Sequence, residues 1–357
     1  MSWRDAKYLM AYFVPALAAL SMYLRGPWVW LVLVVLFVIV PLAEQFMPGT
    51  TANAAPEVEQ ERKQQRLFDV LLYLNVPIQY ALLVYFLYLI TYVPLSGAET
   101  AGIIASMGLC CGVLGINVAH ELGHRKPAAE QWMSQALLFT SLYMHFFIEH
   151  NRGHHRHVAT PLDPATARRG EPIYAFWLRS VRDSWLSAWH LEKERLEKLG
   201  KHPFSPDNQM LRFQLVQVGG VLLIAAVFSW GAALAFLLAA FSGALLLETV
   251  NYLEHYGLMR REVRPGVYER VQPRHSWNSN RTIGRILLYE LTRHSDHHYL
   301  ASRKYQILRH FEESPELPGG YPAMLLLSLV PPLWFRVMHR ELDTYAARHV
   351  QAAPSAN

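Results

Sequence analysis

Nine of the 17 histidines in this 357-residue chain fall into four short clusters, each of which lies where an apolar segment meets polar sequence. Neutral imidazole is the commonest metal ligand in proteins. Nine ligands are too many for one metal ion and suit two, so the clusters predict a dimetal centre. They are HELGH with His120 and His124, EHNRGHH with His150, His154 and His155, NYLEHYG with His255, and RHSDHH with His294, His297 and His298.

The spacing within the clusters also fits two neighbouring metal ions. His120 and His124 are four residues apart, so a helix that continues through HELGH places both rings on one face. RHSDHH repeats this spacing between its first and last histidine. Adjacent side chains point apart, so the two HH pairs each suit two different metals.

An acidic residue accompanies every cluster. Ligating histidines usually donate their second N–H to a carboxylate or carbonyl group, which fixes the tautomer. We expect the acids to accept such hydrogen bonds, and direct ligation is the alternative. They are Glu121, Glu149, Glu254 and Asp296. Asp163 and Asn251 are weaker candidates for the same role, His157 is a weaker candidate ligand, and His275 is a candidate for a surface or supporting position.

The composition predicts an all-α integral membrane protein. Hydrophobic residues make up 52% of the chain and charged residues 17%, against about 25% charged in soluble proteins. A membrane-spanning helix needs about 20 mostly apolar residues. The predicted spans are residues 8–24, 28–47, 68–93, 100–119, 211–229 and 231–250. We expect residues 1–357 to form one membrane domain, with residues 172–200, 132–148 and 322–337 at or near the membrane surface.

The orientation follows from the basic residues. The three turns that join the spans into hairpins contain one basic residue, Arg25, and the other faces hold nearly all the rest. The positive-inside rule therefore predicts cytoplasmic termini and explains the net charge of +5 without a nucleic-acid partner. Spans four and six then end at His120 and His255 on the cytoplasmic side. All four clusters fall in one cytoplasmic catalytic cap, residues 120–210 and 251–340.

The type of metal is not fixed by the clusters alone. HELGH satisfies the HExxH pattern of zinc proteases, with Glu121 as general base, but that interpretation leaves most of the histidines without a role. Nitrogen-rich sites suit zinc, copper or iron. An apolar substrate in the bilayer requires a strong oxidant, which iron with O2 supplies. The two cysteines, Cys110 and Cys111, are adjacent, which excludes a disulfide scaffold, a cysteine zinc site and a built-in rubredoxin.

Five motifs together resemble the membrane-bound alkane monooxygenases, within the histidine-box group that includes membrane desaturases and xylene-type hydroxylases. They are HELGHR, FFIEHNRGHHRHVATPLDPAT, NYLEHYGL, PRHSWNSN and LTRHSDHHYLASRKYQ. The resemblance covers residues 10–340, and NYLEHYG is typical of the alkane-hydroxylase branch rather than of desaturases.

The resemblance implies a bacterial inner-membrane, non-haem di-iron enzyme that hydroxylates the terminal methyl group of n-alkanes taken from the bilayer. One atom of O2 enters the product and the other leaves as water. Two electrons come from NAD(P)H through a reductase and a separate rubredoxin. All nine clustered histidines would be iron ligands. Leu36 would line an apolar channel through spans one to four.

Three alternatives remain open from the sequence. One is another histidine-box oxidase, such as a fatty-acid desaturase, a fatty-acid hydroxylase or a xylene-type monooxygenase. The others are an intramembrane zinc protease that uses HELGH and, more remotely, a metal transporter. Rubredoxins are usually acidic, so a basic cytoplasmic surface is a hypothetical docking site. Its candidate residues are Arg156, Arg168, Arg169, Arg293 and Arg303.

Overall fold

Six long apolar helices dominate the computed structural model, which describes residues 5–47 and 49–351. They match the six predicted spans to within a few residues at most ends, and they confirm an all-α protein with six helices able to cross a membrane. Spans 1 to 6 are Ala6–Leu24, Gly26–Phe46, Arg66–Tyr92, Gly97–Gly123, Gln209–Val227 and Trp230–His255. Spans 1 and 2 begin with 3-10 turns, Ala6–Tyr12 and Gly26–Trp30.

A polar cap marks the residue at which span 4 begins. Ser96 and Glu99 form a reciprocal capping box at the start of span 4, which satisfies two backbone N–H groups. Glu99 also accepts a hydrogen bond of 2.9 Å from the backbone N–H of Gly26, in the turn between spans 1 and 2. The turns of the first two hairpins therefore lie together at one end of the helix bundle.

Small residues allow spans 4 and 6 to pack closely. A Cβ added at Gly243 would lie 2.5 Å from the Cβ of Cys111, and one added at Gly108 would lie 2.7 Å from the Cβ of Ser242. Glycine at these two positions permits the close approach, as is common between membrane helices. The ends of the two helices, which carry His120 and His255, are thereby held near each other. Both helices extend beyond residues 119 and 250, where the sequence predicted that they end.

Two spans contain a wider π-helical turn. Val35–Ile39 interrupts span 2 and Cys111–Ile116 interrupts span 4. In span 2 the wide turn precedes Pro41, which lacks the N–H that an α-helix would bond to the carbonyl group of Phe37. The N–H of Val40 instead bonds to the carbonyl group of Val35. Such turns are frequent at functional sites because they redirect the side chains within them.

The remaining elements surround one end of the bundle. Helices α1 to α7 are Pro56–Gln64, Ala128–Phe139, Ile173–Lys198, Thr282–Leu287, His294–Tyr299, Tyr321–Ser328 and Pro331–Gln351. Short helical segments occupy Phe146–Glu149, His150–His154, His155–His157, Pro273–His275 and Tyr305–Ile307. Strands β1 and β2, Glu262–Arg264 and Val267–Tyr268, form an exposed antiparallel hairpin. The α3 helix occupies the segment 172–200 that the sequence analysis singled out. The stretch 322–337 is divided between α6 and α7.

A buried aromatic core joins the C-terminal helices to span 6. Tyr252 of span 6, Tyr321 of α6 and Trp334 of α7 are all almost completely buried in this core. The ring centroids of Tyr252 and Trp334 lie 5.1 Å apart. Burial of large aromatic side chains is a strong packing contribution. It holds the segment that contains α5, and hence the last histidine cluster, against the end of the bundle.

Candidate metal centre

The structure brings all nine clustered histidines together, in two groups. Within each group the ring nitrogens that could act as ligands lie within 4.8 Å of one another. Every one of the four sequence clusters contributes to this arrangement. The first group contains His120, His124, His150, His155 and His297, and the second contains His154, His255, His294 and His298.

The distances between Nε2 atoms suit ligands of a common metal ion. In the first group, Nε2 of His120 lies 2.8 Å from Nε2 of His297. In the second group, Nε2 of His294 lies 3.1 Å from that of His255 and 2.8 Å from that of His298. Two nitrogens bound at right angles, each about 2.1 Å from a metal, are about 3.0 Å apart. Both groups therefore fit a metal ion.

The π-helical turn His150–His154 sends neighbouring histidines to different groups. A π turn brings residues five apart onto one face, and Nε2 of His155 accordingly lies 3.0 Å from Nε2 of His150. His154 points the other way, with its Nε2 3.2 Å from Nε2 of His298. The adjacent pair thus supplies one ring to each group.

The short α5 helix divides its histidines in the same way. His294 and His298, four residues apart, both face the second group. His297 faces the first group, where its Nε2 lies 3.1 Å from Nε2 of His155. The α5 helix therefore lies between the two groups and contributes ligand candidates to both.

Burial favours the neutral form of several of these imidazoles. It lowers the pKa of His124 to about 3, and it lowers the pKa of His150 and His294 well below the usual value. A neutral imidazole has a lone pair available for a metal. Several such lone pairs pointing into one small volume repel each other unless a cation lies between them. The electrostatics of the site thus favour a bound metal.

Asp163 is the carboxylate with the clearest contact to a clustered histidine. Its Oδ2 lies 3.0 Å from Nδ1 of His154, on the ring atom opposite the one that faces the second group. Burial is the largest single influence on His154 and lowers its pKa, but the charge and hydrogen bond of Asp163, together with the charges of Glu149 and Glu248, raise the pKa overall. Asp163 also accepts hydrogen bonds from the hydroxyl of Thr166, at 2.5 Å, and the N–H of Ala165, at 3.2 Å. This is the arrangement by which supporting carboxylates orient ligating histidines.

Glu254 lies at the second group as well. Its Oε2 is 3.2 Å from Nε2 of His294, and its Oε1 accepts a hydrogen bond of 2.7 Å from the hydroxyl of Tyr321. Oε2 of Glu254 therefore contacts the ring nitrogen that faces the other histidines of the group, and not the opposite nitrogen that a supporting carboxylate would contact.

The other three predicted acids make different contacts. Glu121 accepts hydrogen bonds from Arg125, the shortest of 2.6 Å, and from the N–H of Tyr305. Asp296 contacts Arg303 at 2.5 Å. Glu149 lies 3.4 Å from the hydroxyl of Ser187. Burial, and then the negative charge of Asp163, raise the pKa of Glu149 to about 8. For these acids the supporting role stays a prediction.

The weaker sequence candidates lie at the margin of the site. Nδ1 of His275 accepts a hydrogen bond of 3.0 Å from the N–H of Gln272, and this histidine belongs to neither group. His157 also lies outside both groups and is half-buried. Asn251 borders the cavity described next.

An apolar cavity of about 90 Å³ adjoins both histidine groups. His120 and His150 of the first group and His294 of the second line it, together with Glu254. Leu36 of span 2 also lines it. Spans 1, 2, 4 and 6 contribute, whereas span 3, which the sequence included in the channel, contributes no lining residue. The apolar lining residues include Val14, Leu36, Phe37, Leu109, Val113, Phe146, Leu246, Leu247, Val250, Leu287, Leu288, Leu291, Pro322 and Leu325.

The arginines considered for partner binding differ in exposure. Arg156 and Arg168 are exposed, and Arg169 is exposed but paired with Asp343 at 2.8 Å. Arg293 is buried, and its guanidinium donates hydrogen bonds to backbone carbonyl groups, including that of Leu308 at 2.8 Å. Arg293 was therefore wrongly placed on the surface by the sequence.

Comparison with known proteins gives one family consistently. The fatty acid desaturase family model matches residues 98–328. Alkane 1-monooxygenase 1 of Alcanivorax borkumensis is 39% identical over 92% of this chain and 82% of its own length. Alkane 1-monooxygenase of Ectopseudomonas oleovorans is 38% identical over 90% of this chain and 81% of its own length.

A more distant relative belongs to the same wider group. The xylene/toluene monooxygenase hydroxylase component of Pseudomonas putida is 29% identical over 93% of this chain and 87% of its own length. The higher identity to the alkane enzymes places the chain on their side of the group. The similarity to these enzymes over nearly the whole sequence, which agrees with the histidine groups and the six apolar helices of this chain, shows that the chain is a member of the alkane 1-monooxygenase family.

Proposed function

We propose that this protein hydroxylates the terminal methyl group of n-alkanes to 1-alkanols, with two iron ions, O2 and electrons from a rubredoxin. The observation that carries the proposal is the apolar cavity that ends against both histidine groups. The similarity to alkane 1-monooxygenases over about nine tenths of the chain supports it. The balance is one alkane, one O2, two electrons and two protons to one alcohol and one water.

The proposed ligands are the nine clustered histidines, with Glu254 as a further candidate beside His294. Iron bound there would activate O2 and supply the oxidant that an unactivated C–H bond requires. The chain itself excludes water from the cavity by lining it with aliphatic side chains. It also holds an extended substrate in one direction, so that geometry selects which carbon reaches the site.

The contacts of Glu121 do not favour the zinc protease alternative. A general base in an HExxH site must face the metal-bound water. Glu121 instead accepts hydrogen bonds from Arg125 and from the backbone of Tyr305. The desaturase and acyl-hydroxylase alternatives concern the same centre, so product analysis is needed to separate them from alkane hydroxylation.

The direct test combines metal analysis with product analysis on the full-length protein. The purified chain should contain two irons and little zinc. With rubredoxin, reductase and NADH, it should convert an n-alkane to the 1-alkanol with one atom from ¹⁸O2. A desaturated or hydroxylated fatty acid without alkanol would favour the acyl-chain alternatives, and zinc without iron would overturn the proposal.

Replacing Leu36 with tryptophan should shorten the longest alkane that the enzyme accepts. Leu36 is buried and borders the cavity, so a larger ring there would obstruct an extended chain. We expect kcat/KM for long n-alkanes to fall by about tenfold or more and that for short ones to change little. Ile39→Trp, on the exposed face of the same helix, is the matched control. An unchanged product profile in Leu36→Trp would contradict this role.

We further propose that the histidine-bearing end of the bundle is cytoplasmic, in a bacterial inner membrane, and binds a separate acidic rubredoxin reduced by an NAD(P)H-dependent reductase. Exposed Arg156 and Arg168 would steer it. Raising the salt concentration should then lower the association rate, by about tenfold between low and physiological ionic strength. Arg156→Gln should weaken that dependence, whereas Arg25→Gln, in the turn at the opposite end, should not. Salt-independent association would contradict steering.

A further inference from the structure

The metal-facing cavity and a second apolar space share one wall. The second space is a groove of about 450 Å³ on the outer surface of the bundle, between span 2, span 6 and α6. Phe37, Leu246 and Leu325 line both the groove and the cavity. The other groove residues are Trp30, Leu33, Val34, Val38, Thr249, Leu326 and Leu329.

We propose that these three shared residues, here called the portal, form the passage through which an unbranched alkyl chain moves laterally from the bilayer to the metal-facing cavity. The proposal rests on the proposed function for the identity of the occupant. It goes further by assigning the side of the protein, the helices and the residues through which the substrate passes.

The groove is on a surface that lipid would contact. Val34, Val38 and Leu326, which line it, are among the exposed apolar residues. Val34 and Val38 lie on span 2, which is apolar enough to cross a membrane, and Leu326 lies on the neighbouring α6 helix. A cluster of exposed aliphatic side chains next to a cavity is a usual site for an apolar ligand. Here its continuity with the cavity indicates the direction of movement.

The portal separates the cavity from the groove by a single layer of side chains, because the same three residues line both spaces. Phe37 and Leu246 are only partly buried, and Leu325 is buried. Phe37 lies in the wide turn that precedes Pro41, where the regular backbone pattern is broken. Rotation of two side chains at this position would connect the spaces without separating any two spans.

The third side of the portal is a short helix that is held at both ends. The α6 helix begins at Tyr321, which is buried and donates its hydrogen bond to Glu254 beside His294. At the other end, the backbone carbonyl group of Leu329 accepts a hydrogen bond of 2.7 Å from the hydroxyl of Tyr174. The side chains of Leu326 and Leu329 are exposed in the groove. Because α6 is held in this way, the portal would open by side-chain rotation and not by movement of the helix.

The lining selects for hydrocarbon. The three portal side chains carry no polar atoms, so a polar group that passed between them would lose its hydrogen bonds to water without replacement. A lipid acyl chain could lie in the groove for the same reason, but its headgroup would oppose passage. The occupant that can cross completely is therefore a free unbranched chain.

The test is photolabelling of the full-length, metal-bound protein, in lipid nanodiscs and without an electron donor, by an n-alkane that carries a terminal diazirine. Mapping by mass spectrometry should find label on both groove residues and cavity residues of the wild type. Phe37→Trp and Leu325→Trp should reduce cavity labelling by about tenfold while groove labelling remains. Phe37→Ala should accelerate labelling of the cavity residues. Ile39→Trp, on the lipid-facing surface outside both spaces, is the matched control.

Two results would overturn the portal. One is cavity labelling that neither tryptophan variant reduces and Phe37→Ala does not accelerate. The other is label confined to Leu326 and Leu329, which would identify the groove as a lipid site. If the tryptophan variants do not fold, the labelling rate of Phe37→Ala decides. The readout without an electron donor separates this from the proposed function: labelling that depends on the portal, in a protein that makes no alkanol when the donor is supplied, would reject alkane hydroxylation alone.

Discussion

Replacing His255 with alanine should abolish alkane hydroxylation and remove about one of the two proposed irons. His255 is buried, and its Nε2 lies 3.1 Å from that of His294 in the group of four histidines. Ligands of one centre act as a unit, so we expect activity to fall by about three orders of magnitude or more. Iron analysis of purified protein and product analysis by gas chromatography would measure the two effects.

The matched control is His190→Ala. His190 lies on α3, its side chain is 70% exposed, and it contacts Glu194 rather than another histidine. This variant should keep the iron content and activity of the wild type. A monodisperse, helical His255→Ala protein that retained full iron would show that the four-histidine group does not hold a metal. Loss of all iron would instead indicate that the two groups form one cooperative site.

The contributions of local and tertiary structure to the site can be separated. The i, i+4 pair of HELGH and the divergence of the HH pairs follow from helix geometry, so the sequence contains them. The contact between His297 and His120 does not, because it depends on how α5 packs against the end of span 4. The same holds for the proximity of His255 to His294, which requires α5 to pack against the end of span 6.

The π turns illustrate what the sequence could not supply, and Asp163, which the sequence offered only as a weaker candidate, illustrates what it supplied in part. A π turn adds one residue to a helix and has little compositional signature, although Pro41 marks one of the two in the spans. Asp163 lies in a turn nine residues after His154, with no periodic relation to it. The Pro-rich PLDPAT segment was the available signal, since such turns often place a side chain back towards the preceding helix. Glu254, by contrast, could be found from the sequence because it immediately precedes His255.

The second large effect is expected from Asp163→Asn, which changes no atom that faces the metal. The carboxylate contacts Nδ1 of His154 at 3.0 Å, and both residues are buried. Asparagine keeps the shape but removes the charge that orients the ring, so iron affinity or activity should fall by about 10- to 100-fold. A chelator competition would measure affinity, and thermal unfolding would reveal any general destabilisation.

Two aspartates distinguish an effect on His154 from a general effect of losing a carboxylate. Asp343→Asn removes an exposed partner of Arg169 and should change neither iron affinity nor activity. Asp296→Asn removes the buried partner of Arg303 and should lower the thermal unfolding temperature more than the iron affinity.

Three outcomes for Asp163→Asn have different meanings. If the variant lost iron to a chelator no faster than the wild type does, the carboxylate would not tune the second group. If it lost only thermal stability, as expected of Asp296→Asn, its role would be packing of the PLDPAT turn. Reduced iron affinity at unchanged unfolding temperature is the result that the geometry predicts, because Asp163 acts through the orientation of a single imidazole ring.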